Sequence, residues 1–124
     1  MITGKPIRVP GRDHPITIVP QPGRVVVRTG EEIIADTRAA LRLAEASYPP
    51  VFYIPRTDAK MSWLAPSDHR TYCPYKGACS YFSIASGGEA GRNAVWSYED
   101  PYPAVAAIKD HLAFYPDRVR IETT

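Results

Sequence analysis

The chain has 124 residues, of which 44% are hydrophobic and 23% charged, with a net charge of +2. That is the length of one domain with apolar material for one core, so wholesale disorder and a two-domain arrangement are both disfavoured. The charge is too small and too evenly mixed for a nucleic-acid stripe, no apolar run reaches the 18 residues of a membrane helix, and two cysteines make no disulfide scaffold.

Residues 1–13 carry glycines and prolines without periodicity and read as an irregular lead-in to a single globular domain over 14–124. No apolar stretch follows Lys5 and Arg8, so a secretory signal is not expected and the cytoplasm is the expected compartment. Runs at 16–19, 24–28 and 32–35 are β-branched and separated by turn residues, which predicts a meander of strands. Asp36 has the character of an N-cap, and the alanines and leucines behind it predict a helix to about Glu45, ended by Tyr48, Pro49 and Pro50. A buried strand is expected at 51–54. Residues 56–66 are mixed, with Trp63 and Leu64 as packing residues.

Residues 70–83 read as a hairpin around Pro74, Tyr75, Lys76 and Gly77. The glycine-rich stretch 86–92 reads as a loop, and 93–98 as a returning strand. Asp100 and Pro101 predict the start of a second helix, in which Val105, Ile108 and Leu112 recur at helical spacing while Lys109 and Asp110 point outward. Pro116 stops it, and 118–121 is a last strand. The fold class is therefore mainly β with two short helices.

The chemistry is concentrated between Thr71 and Gly77. Pro74 suits the first corner of a type I turn, and Gly77 the left-handed residue that follows one. Such a turn brings the Cys73 thiol near the Lys76 ammonium, which favours thiolate and makes Cys73 and Lys76 the candidate catalytic pair. Lys76 equally suits an anion beside the free turn N–H groups. The plainer reading is a small buried cysteine at a rigid corner, with the lysine solvated. A nucleophilic cysteine needs a base, and spacing places none of His14, His69 or His111 beside it. Zinc is not expected: His69, Cys73 and Cys79 are close in sequence, but paired C-x₂₋₄-C elements are lacking. A three-residue loop would put Cys79 on the face of Cys73, and a four-residue loop would separate them.

Glu45, Tyr53, Arg56, Thr71, Trp96 and Tyr98 complete the candidate ligand-binding set, as aromatics, one arginine and one carboxylate of the kind that line small-molecule pockets. Each also has an ordinary role in a core or on a solvated surface. No phosphate-binding loop, dinucleotide fingerprint or hydrolase motif is present, and no cofactor is expected. The arginines at 24, 28, 118 and 120 read more simply as solvated strand edges than as a nucleic-acid patch.

Glu45, Tyr48, Pro50, Tyr53 and Pro55, then Thr71 with Cys73 to Gly77, then Trp96, Tyr98, Pro101, Phe114 and Tyr115, together resemble the domain-of-unknown-function family 427 over about residues 14–122. The resemblance implies a β-tent-like fold of small antiparallel sheets meeting at an angle. It carries no four-cysteine zinc site into this chain, and the nucleotidyltransferase label sometimes attached to the family meets no paired aspartates beside a Gly-Ser turn here. The resulting expectation is a small polar or anionic ligand bound around the Cys73–Gly77 turn, with enzymatic activity left open. The alternative is a non-catalytic interaction module in which the turn is structural.

Overall fold

The computed structural model describes residues 5–124; the first four residues of the expected lead-in lie outside them. β-branched runs supply β1 (Ile16–Pro20), β2 (Val25–Thr29) and β3 (Glu32–Thr37), followed by β4 (Leu41–Glu45) and β5 (Val51–Tyr53). The long pair β6 (Leu64–Cys73) and β7 (Gly77–Ile84) precedes a single α-helical turn, α1 (Gly88–Gly91). The chain then forms β8 (Val95–Ser97), a 3-10 stretch Pro103–Ile108, β9 (Ala113–Phe114) and β10 (Arg120–Thr123). The molecule is thus mostly β, in small antiparallel sheets with short helical pieces.

Three sheets form, ordered β1-β4-β5, β10-β2-β3 and β6-β7-β8-β9. The four-stranded sheet separates two apolar clusters because side chains alternate across a strand. Cys79 and Tyr81 of β7 join Leu43, Tyr53, Tyr98, Val105 and Ile108 on one side. Phe82 and Ile84, on the opposite face, join Val25, Val27, Ile34, Ile54 and Leu112. Ile54 and Leu112 exchange both backbone hydrogen bonds at 2.8 Å and so stitch the end of β5 to the start of β9.

Several sequence expectations are corrected. β1 leaves the meander and pairs with β4, placing Ile16 opposite Glu45; only β2 and β3 form the local hairpin. The helix expected from Asp36 to Glu45 is absent. Asp36 instead takes two hydrogen bonds from Arg24, at 2.7 and 2.6 Å. Thr37 Oγ1 accepts the Ala39 N–H and donates to Asp58, reversing the chain into β4. Leu41 and Leu43 then alternate with Arg42 at a strand's period, and pairing with β1 and β5 overrides helix propensity.

The second helix shrinks to the 3-10 stretch, which is broken at Val105 (φ −124°, ψ 27°). Val105, Ile108 and Leu112 are all fully buried, but Leu112 reaches the core through its bridge to Ile54. His111 accordingly follows this stretch rather than ending a helix. The glycine-rich loop is instead a 3-10 turn running into α1, held close to β7: a Cβ on Gly91 would lie 2.4 Å from the Ile84 carbonyl oxygen. The last strand begins two residues later than expected, at Arg120.

Candidate functional site

The turn between β6 and β7 has three residues, with Cys73 paired to Gly77 and Thr71 to Cys79. Gly77 has φ +109°, where a side chain would be strained. This register settles the geometry left open by the sequence: Cys73 and Cys79 share a face, as diagonal rather than direct neighbours, and both are free thiols.

The turn also turns Lys76 inward. A turn lysine is expected to be solvated, yet Lys76 is only 8% exposed. Its ammonium donates to Glu45 Oε1 at 2.5 Å, and the second carboxylate oxygen, Oε2, lies 2.7 Å from His14 Nε2. Glu45 stands at the end of a strand, not of a helix, and the β1–β4 pairing carries it beside His14, which precedes β1. The His14 ring is in turn stacked on Tyr75 of the turn, 4.0 Å between centroids and 4° from parallel. Burial pushes the Glu45 carboxyl up, but the hydrogen bonds and charges of Lys76 and His14 outweigh it and hold the group below its ordinary value.

Above this His14–Glu45–Lys76 chain opens a cleft of about 250 Å³, lined also by Leu43, Val51, Tyr53, Tyr81, Trp96, Tyr98 and Tyr115. Trp96 stands edge-on to Tyr53, donates its indole N–H to the Tyr53 hydroxyl at 3.3 Å and packs on Tyr115. The Lys76 ammonium lies 5.9 Å from the centre of the Tyr98 ring. Burial raises the phenols of Tyr53, Tyr81 and Tyr98 far above their ordinary range, so all three stay protonated near neutral pH. The cleft therefore combines one ammonium, one carboxylate, neutral hydroxyls and aromatic faces.

Of the residues singled out from sequence, Glu45, Tyr53, Lys76, Trp96 and Tyr98 come together here. Thr71 stands one step away and hydrogen-bonds the Tyr81 hydroxyl at 2.9 Å. Arg56 lies elsewhere: it binds the Asp110 carbonyl, Ser97 Oγ and Glu99, bracing three segments together. Cys73 is half-buried at the end of β6, and among the described residues no histidine hydrogen-bonds to it. Burial raises the thiol of Cys79. Tyr81, Tyr115, Leu43 and Val51, which also line the cleft, were not among the candidate site residues. For Tyr81 the signal was available, since strand alternation puts it on the face of Cys79. Among the described residues no group of three or more His, Cys, Asp or Glu side chains is placed to hold a metal ion.

Fold and site together define a small antiparallel β domain with an aromatic cleft over a buried ion pair. The chain belongs to the family described as Domain of unknown function (DUF427), whose model matches residues 17–124. A comparison with curated proteins finds no match. Among the described residues no helix is long and apolar enough to cross a membrane.

Proposed function

We propose that the protein binds a small polar ligand in the Lys76 cleft, with an oxygen atom of that ligand accepting hydrogen bonds from the Lys76 ammonium. The observation that carries this reading is a nearly buried ammonium that lines the aromatic cleft. An ammonium has three N–H donors, and among the described residues Glu45 is its one hydrogen-bond acceptor. Removing a charge from water is costly unless its hydrogen-bonding capacity is used. A ligand oxygen over Lys76 would complete the shell, while Tyr53, Trp96 and Tyr98 would offer ring faces and neutral hydroxyls to the rest of the molecule.

In this reading Glu45 positions Lys76 and His14 positions Glu45. The same chain gives a route for a proton between the cleft and the partly exposed His14 ring, which leaves room for acid–base chemistry on a bound ligand. Cys73 is a neighbour of the turn in this reading, not its reactive group.

The test is a thermal-shift screen of nucleotides, sugar phosphates and organic acids on wild type and Lys76→Met, which keeps the aliphatic stem. A ligand that raises the wild-type melting temperature and leaves Lys76→Met unmoved supports the site. Equal shifts in both proteins would overturn it.

A further inference from the structure

A second groove adjoins the Lys76 cleft. It has a volume of about 560 Å³ and is mainly apolar; its Phe52, Ile54 and Phe114 belong to the cluster on the other face of the sheet. It meets the cleft at Val51 and Trp96, beside the isolated Ile54–Leu112 bridge that joins the ends of β5 and β9. Pro49, Pro50 and Phe52 form one part of its wall, and Phe114 and Ile121 another. The Lys76 cleft alone falls just short of the roughly 300 Å³ at which small-molecule sites begin, whereas cleft and groove together fall well inside the range up to about 1,000 Å³.

We infer that the ligand is an amphiphile whose oxygen-bearing head sits on Lys76 and whose hydrocarbon tail runs past Trp96 into this groove. The inference rests on the Lys76 reading above and adds the chemical class of the ligand. Polar groups gather at one end, around Lys76 and Glu45, and apolar walls at the other. A bound molecule must match that asymmetry or leave polar atoms unpaired against hydrocarbon. A peptide fits the groove less well. An added strand needs backbone donors and acceptors along its edge, and two consecutive wall residues are prolines, whose nitrogens carry no hydrogen.

The experiment is isothermal titration with two homologous series, straight-chain alkanoates and the matching primary alkanamides from four to twelve carbons, below their aggregation limits. Each methylene entering the groove is expected to tighten binding by about fourfold until the groove is full, where the gain levels off. Lys76→Met is expected to weaken every member of the better series by a similar factor and to leave the chain-length slope intact. Ile121→Asp is expected to flatten the slope and spare the shortest member; Pro116→Asp, at an exposed position on the same rim, serves if Ile121→Asp does not fold.

Lys76-dependent binding with no chain-length slope would overturn the amphiphile and leave the Lys76 site standing. A slope indifferent to Lys76→Met would overturn both. No binding by either series would also overturn the inference, as would a concentration-dependent dimer, seen by sedimentation, that Ile121→Asp dissociates.

Discussion

Lys76 shows how one contact changes what a residue is worth. As a solvated turn lysine its truncation would cost within about 0.5 kcal/mol. Buried against Glu45, it leaves a carboxylate without its cation, and Lys76→Ala is expected to lower stability by about 3 kcal/mol, measured by denaturant titration. A loss below about 0.5 kcal/mol would contradict the buried pair. The pair also sets an acid limit. The folded Glu45 carboxyl lies below its ordinary value of 4.5, so its contribution is complete above about pH 4.5 and lost as pH falls through the folded value. Glu45→Gln should therefore melt well below wild type at pH 7, with the gap closing as pH falls below about 4.5 and through the lowered folded value. Asp36, Glu99 and Glu122 are also held below their ordinary values, but they are common to both proteins and cancel in the difference. Parallel melting curves across that range would show that Glu45 is not the group responsible. The candidacy of Lys76 and Glu45 was legible as residue types in a dense segment. Their pairing was not, because it depends on a side-chain contact across 31 positions between two different sheets.

At the scale of elements, the β6–β7 hairpin was legible because its turn chemistry is local: a proline corner, then a glycine at positive φ. β4 was not legible. Residues 39–44 are good helix formers, and only pairing with β1 and β5 makes the Leu41–Leu43 alternation decisive. The same difficulty hid the partner of β1, since both the local meander and the distant pairing satisfy the pattern of 16–19. The turn's dependence on glycine can be measured. A Cβ at Gly77 would stay 3.5 Å from its nearest neighbour, the Asp100 carbonyl oxygen, so the cost of Gly77→Ala is conformational rather than steric. It should amount to about 1–2 kcal/mol. Gly11→Ala, with open space around it and no positive φ, is the control and should stay within about 0.5 kcal/mol. Equal effects of the two substitutions would mean that the turn tolerates another geometry.

At the scale of the whole molecule, the two apolar clusters share a sheet and cannot be stable independently. β7 contributes Cys79 and Tyr81 to one and Phe82 and Ile84 to the other, so losing either face frees the strand that supports the second. The reciprocal hydrogen bonds of Ile54 and Leu112 add a second tie between the sheets. One cooperative transition is therefore expected, as in most single domains of this size. The two tryptophans allow a direct test because they fall on opposite sides: Trp63 packs against the cluster containing Phe82 and Ile84, Trp96 against the one containing Cys79 and Tyr81. Trp96→Phe leaves fluorescence from Trp63 alone, and Trp63→Phe leaves Trp96 alone. In guanidinium titrations each variant's fluorescence midpoint should coincide with its own midpoint by far-ultraviolet circular dichroism, whatever the substitution does to stability. If Trp96 fluorescence changes before the circular dichroism of the same variant, the cleft side opens on its own and the shared-strand account is wrong. If it changes together with the backbone, the aromatic cleft holds its shape up to global unfolding, and a ligand bound there must raise the fluorescence and circular-dichroism midpoints of the same variant equally.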